Sequence, residues 1–85
     1  MKVRIERFKK LDAYGNTKAF LDLCFEGQLI VTGFKIMSGE KGLWLAMPSQ
    51  KGKDDKYYPT VKCISKEAQE LLQAEVLRQA EAQLR

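Results

Sequence analysis

The sequence predicts an α+β domain: an antiparallel meander of about five short strands packed by one C-terminal amphipathic helix. Three observations predict it. Residues 2–64 divide into short apolar runs separated by turn-forming Gly, Asn, Asp and Ser. Residues 66–84 change to the spacing of a helix with one apolar side. The chain has 85 residues, which is room for a single domain, residues 1–85, and one core.

The first strand is expected from Val3 to Phe8. Val3 and Ile5 face one side there, and Lys2, Arg4 and Glu6 the other. Asp12-Ala13-Tyr14-Gly15-Asn16 is the following turn, because Gly and Asn tolerate the left-handed backbone. The second strand runs from about Lys18 to Phe25. Ala19, Leu21, Leu23 and Phe25 share one face, and Phe20 and Cys24 the other, with Asp22 between them. Apolar residues on both faces mark a central strand.

Glu26-Gly27-Gln28 reverses the chain into a third strand, Leu29 to Met37, in which Gly33 marks a bulge. Ser38 to Gly42 is a turn with two glycines. Leu43 to Met47 is a short apolar strand ended by Pro48, and Ser49 to Lys56 reads as a polar loop. A last strand is expected from Tyr57 to Ile64. Its Pro59 cannot donate to a ladder, so this strand lies at an edge or is bulged.

Ser65 suits an N-cap and Glu67 suits the positive end of the helix dipole. Ala68, Leu72, Val76 and Ala80 recur at four-residue steps, flanked by Leu71 and Leu77. This stripe should cover one face of the sheet. A chain this short, with both faces of its second strand apolar, needs more cover than one helix supplies, so a homodimer is expected.

Composition bounds the function. Apolar residues form 45% and charged residues 31% of the chain, which is globular composition. No apolar run is long enough to span a membrane, and the charged N-terminus is unlike a signal peptide, so the expected location is the cytoplasm. Cys24 and Cys63 are too few for a disulfide framework; they sit in strand-like runs and read as reduced, buried packing residues. Histidine is absent, no zinc-type cysteine spacing occurs, and no phosphate-cradling glycine loop is present. We therefore expect no enzyme, no cofactor, no metal and no small-molecule substrate.

The net charge is +4, and it is unevenly spread. Residues 1–64 hold twelve Lys or Arg against seven Asp or Glu, whereas residues 65–85 hold three against four. A basic body permits nucleic-acid binding. In Lys51-Gly52-Lys53-Asp54-Asp55-Lys56 the three lysines are candidates for phosphate contact, and their glycine-flanked backbone suits an irregular polyanion. The plainer reading is a solvated turn in which the aspartates cancel part of the charge. Tyr57 and Tyr58 follow; one is a candidate for stacking on an unpaired base, and the other is expected to face the core or a dimer partner. Lys66 adds a cation at the helix start. Lys2, Arg4, Lys9, Lys10 and Lys18 form a second basic group, read as a solvated sheet face.

Residues 42–49 read Gly-Leu-Trp-Leu-Ala-Met-Pro-Ser. This resembles the signature of the SpoVG (stage V sporulation protein G) family. Val3-Arg4-Ile5, Lys18-Ala19-Phe20, Phe34-Lys35-Ile36-Met37 and Gln73-Ala74-Glu75-Val76-Leu77 agree with it in order and spacing. The resemblance covers roughly residues 2–80. It implies a small dimeric α+β protein that regulates sporulation, septation or virulence genes, with DNA or RNA as partner. Gln50-Lys51 stands where members often carry two basic residues, and Gln69 where one is common. Within the signature, Leu43, Leu45 and Met47 are expected on one face and Trp44 and Ala46 on the other, packed as core.

Overall fold

The structure, a computed structural model, describes residues 1–12 and 15–84. Six strands precede one helix: β1 (Val3–Lys10), β2 (Thr17–Phe25), β3 (Leu29–Gly39), β4 (Gly42–Ala46), β5 (Ser49–Lys51), β6 (Tyr57–Pro59) and α1 (Lys66–Leu84). The first four form an antiparallel meander in the order β1-β2-β3-β4. The fold class is the expected one, but the fifth strand is not part of that sheet. β5 and β6 pair only with each other.

Two boundaries change with it. Ser49–Lys51 is a strand rather than a loop, and the run expected from Tyr57 to Ile64 ends at Pro59. The cause is local. Pro59 occupies the terminal pair of the ladder, opposite Ser49, where its missing N–H costs nothing. Cys63 therefore lies beyond β6, packed against the core without belonging to a strand. Of the turn expected at residues 12–16, Ala13 and Tyr14 lie outside the described residues; Gly15 has φ +132°, and the Asn16 carbonyl accepts from Ser38 N at 2.7 Å.

Three bulges decide which side chains share a face. Ile5 pairs with Leu23 while Arg7 pairs with Asp22, so Glu6 is an extra residue in β1. Leu21 pairs with Phe34 while Leu23 pairs with Val31, so β3 gains a residue beside Gly33, whose φ is +93°. Thr17 pairs with Met37 and Ala19 with Ile36, so Lys18 is extra in β2. Each bulge reverses the alternation. Val3, Ile5 and Phe8 thus reach the core together, and Arg4 and Arg7 share the opposite face.

The core joins Ala19, Leu21 and Leu23 of β2, Phe34 and Ile36 of β3, Leu45 of β4, and Leu72, Val76 and Ala80 of α1. Ser65 caps the helix as expected, its hydroxyl accepting from Ala68 N at 3.1 Å. The helix packs against both edge strands, β1 and β4. Those strands would stand roughly 14 Å apart in a flat sheet, so the sheet curls around the helix.

Two glutamines secure that curl. Buried Leu72, Val76 and Ala80 define the middle of the helix stripe. At 3.6 residues per turn, Gln73 and Gln79 lie roughly 60° to either side of Val76. Gln73 Oε1 accepts from Leu45 N at 2.7 Å, and its Nε2 donates to Leu45 O at 2.6 Å. Gln79 Oε1 accepts from Ile5 N at 3.0 Å, and its Nε2 donates to Val3 O at 2.8 Å. Each carboxamide thus satisfies two backbone groups on a sheet edge, as a neighbouring strand would.

Candidate nucleic-acid interface

The candidate residues Lys51, Lys53, Lys56 and Tyr57 are brought together on the β5–β6 hairpin. From Ser49 to Thr60 every residue except Gly52 is exposed. The two ends of the hairpin are joined at its base, where Thr60 N donates to Pro48 O at 2.9 Å. Lys66, the fifth candidate, is exposed on a separate element, the first residue of α1.

The tip is a clamped turn and not the adaptable loop its glycine and lysines suggest. Gly52 N donates to Lys56 O at 2.7 Å, and Asp55 N donates to Gly52 O at 3.1 Å. Asp55 adopts φ +64°, a left-handed conformation that Asp tolerates. Asp54 organises the interior of the turn. Its Oδ1 accepts from Lys56 N at 3.1 Å, and its Oδ2 accepts from the Tyr58 hydroxyl. A Cβ on Gly52 would stand only 2.8 Å from Tyr58 Cε2, so glycine is what lets the Tyr58 ring lie over the turn.

The electrostatics follow from this arrangement. The Tyr58 hydroxyl, and secondly the Lys56 N–H, hold the Asp54 carboxyl below the usual carboxylate range. Asp54 in turn pushes the Tyr58 phenol upward. Asp55 Oδ1 lies 3.5 Å from Lys51 Nζ. Both aspartates are therefore engaged, one by a phenol and one by Lys51. Among the described residues, Lys53 and Lys56 form no ion pair.

Neither tyrosine reaches the core. Tyr57 is 69% exposed and stands opposite Lys51 in the ladder; Tyr58 is 50% exposed and lies over Gly52. The hairpin tip has no hydrophobic core of its own, so the alternation of β6 sorts two surface faces.

The signature strand also differs from expectation. Leu45 is buried, but Leu43 and Trp44 are 45% and 47% exposed. Trp44 lies on the face of β4 turned away from the helix, whereas Leu43, on the face of Leu45, lies beside Leu77 and Leu84 at the end of the helix. The second basic group is divided as well. Arg4 bonds to Glu6 at 3.0 Å, and Lys18 sits in a bulge. Lys10 falls on the same side as Phe8, away from Lys9. Arg7 and Lys35, which the group did not include, are exposed on the side of Arg4 and Lys9.

No helix among the described residues is long and apolar enough to cross a membrane, and no cluster of three or more metal-ligating side chains occurs among them.

With this architecture in view, the comparisons with known proteins carry weight. The SpoVG family model matches residues 1–82. The chain belongs to the SpoVG family. A SpoVG relative from Archaeoglobus fulgidus is 35% identical over 72 residues, covering 85% of this chain and 85% of its own. One from Symbiobacterium thermophilum is 36% identical over all 85 residues of this chain, which spans only 61% of that longer protein. One from Clostridium perfringens (strain 13) is 33% identical over 81 residues, covering 95% of this chain and 90% of its own. Each carries the name "Putative septation protein SpoVG". Residues 42–49, which carry the resemblance, form β4 and the start of β5, the segment that leads into the basic hairpin.

Proposed function

We propose that this SpoVG-family chain is a homodimeric regulator that binds the backbone of DNA or RNA through the β5–β6 hairpin. One observation carries the reading. Asp54 and Asp55 are each engaged within the turn, so Lys53 and Lys56 form no ion pair among the described residues. Lys51 contributes when Asp55 releases it, Tyr57 offers an exposed ring beside it, and Lys66 adds charge from the helix start. Affinity is dominated by phosphate and is therefore salt-sensitive. Sequence selectivity is weak, because the chain has only four arginines to read guanine edges. Names given to relatives point to septation as the regulated process.

A second copy is supported by an apolar groove of about 400 Å³ that includes Phe25, Leu29, Val31, Met47, Ile64 and Leu72. Ile64 is 98% exposed there, which is unusual for an isoleucine in so small a domain. With Leu45, Val3 and Ile5 already capped by glutamines, this groove suits self-association better than a continuous two-subunit sheet.

Binding of labelled DNA and RNA across a salt series tests the proposal; absence of binding at low salt overturns it. A second reading, regulation through protein contact alone, is favoured by exposed Ile64 and Leu71, the latter 73% exposed. A partner that stays bound after nuclease treatment would support that reading instead.

A further inference from the structure

The helix covers one face of the four-stranded sheet, and the other face is open. The register lines up what that open face carries. One row is Arg4, Cys24 and Ile30; the next holds Arg7 and Asp22; a third is Lys9, Phe20, Lys35 and Ala46; a fourth is Thr17, Met37 and Trp44. Lys2, just before β1, falls on the same face by alternation, one row beyond Arg4. Over β1 to β3 the face thus holds five cations, Lys2, Arg4, Arg7, Lys9 and Lys35. Against them stand three carboxylates: Asp22, the Arg4-bound Glu6, and Glu26, whose Oε1 accepts from Lys2 N at 2.8 Å.

Two exposed aromatics share this face, Phe20 among the charges and Trp44 in the uncharged fourth row. Phe20 is 42% exposed, with Lys35 Nζ 5.9 Å from its ring centroid. Trp44 is 47% exposed and rests against Gly39, where a Cβ would lie 3.4 Å from the indole Nε1. Two strand spacings across and two residues along separate the two backbone positions by roughly 12 Å. Beside Phe20, a shallow cleft of about 190 Å³ is bounded by Arg7, Lys9, Asp22 and Gly33.

We infer that this open face is a binding surface for single-stranded nucleic acid, distinct from the hairpin. The inference deepens the nucleic-acid reading and rests on it for the class of ligand. Charge complementarity selects a polyanion: the cations meet phosphates while the rings meet bases. A duplex presents its phosphates but keeps its base faces stacked inside, which leaves Phe20 and Trp44 without partners. An unpaired strand offers both. The Glu6 bulge is essential, because it brings Arg7 and Lys9 onto the face that already holds Arg4.

Trp44 is the chain's one tryptophan, so its emission reports on this surface alone. The probe is a short oligodeoxythymidylate, added to the full chain at low salt, with a blunt duplex of equal length as the control. The expected result is quenching of Trp44 by the single strand and little by the duplex. Arg7→Ala with Lys35→Ala weakens the single-strand affinity on the order of tenfold, and Phe20→Ala does so by a similar factor. Phe20→Leu, which keeps the volume and removes the ring, guards against misfolding. Quenching that survives Lys51→Ala, Lys53→Ala and Lys56→Ala supports the sheet face even where the hairpin proposal fails. Three results overturn the inference: unchanged Trp44 emission while the oligonucleotide binds, equal quenching by the duplex, or no binding at all. A Trp44 shift that tracks protein concentration without nucleic acid, with dimer formation, also overturns it by assigning the face to a second copy.

Discussion

The carboxamide of Gln73 closes a two-point ring on Leu45, accepting from its N–H at 2.7 Å and donating to its carbonyl at 2.6 Å. Leu45 is the buried residue of β4, and its backbone faces the outer edge of the sheet. Gln79 repeats the arrangement on β1. The helix therefore contributes more than an apolar stripe: it fixes both margins of the sheet from which the basic hairpin departs.

Replacing Gln73 or Gln79 by Leu should destabilise the domain by about 1–3 kcal/mol each, because two part-buried backbone groups lose their partners. Gln73→Glu should cost a similar amount at neutral pH, since a carboxylate has no hydrogen to give the Leu45 carbonyl. Urea unfolding followed by circular dichroism measures both. The same variants expose strand edges and should aggregate more readily.

Gly52→Ala should loosen the hairpin tip without unfolding the body. The added Cβ meets the Tyr58 ring at 2.8 Å, yet the hairpin shares no core with the four-stranded sheet. Global stability should change by less than about 0.5 kcal/mol, the usual range for surface substitutions. Amide exchange at Asp55 and Lys56 should rise sharply.

The tip should also respond to pH. The lowered Asp54 carboxyl contributes stability above its unfolded pKa and loses it as pH falls through the folded value. The raised Tyr58 phenol contributes below its unfolded pKa and loses it as pH rises through the folded value. Order at the tip therefore spans neutral pH and is lost at both the acid and the strongly alkaline ends. In Tyr58→Phe the Asp54 titration, followed by carboxyl chemical shifts, should move up toward the ordinary range.

Ile64→Asp should shift the protein toward monomer. Sedimentation velocity at micromolar concentration should show dimer for the wild-type chain. The dimer dissociation constant of the variant should be at least about tenfold larger, given about 1.5–3 kcal/mol for burying an isoleucine.

Much of the body was legible in the sequence. Alternation in Ala19, Leu21 and Leu23 marked the central strand, Gly33 marked the bulge of β3, and Ser65 marked the helix start, because each has a residue type tied to a backbone requirement. The Glu6 bulge had no such mark, so Arg7 could not be assigned to the face of Arg4. Ser49–Lys51 is a polar strand with no buried face, and hydrophobic periodicity is blind to it. The site was half legible. Its lysines were evident from composition, but the Asp54–Tyr58 bond that clamps the turn is a tertiary contact between residues that each looked like ordinary surface. Gln73 and Gln79 were invisible for the same reason: a glutamine flanking an apolar stripe has the same spacing whether it meets water or a sheet edge.

The most direct test compares the wild-type chain with the Lys51→Ala, Lys53→Ala, Lys56→Ala variant in binding duplex DNA, by fluorescence anisotropy at several salt concentrations. Loss of three phosphate contacts predicts a double-logarithmic salt slope shallower by roughly three, with weaker affinity at every point. Identical slopes and affinities for the two proteins would contradict a role for the hairpin lysines in holding nucleic acid.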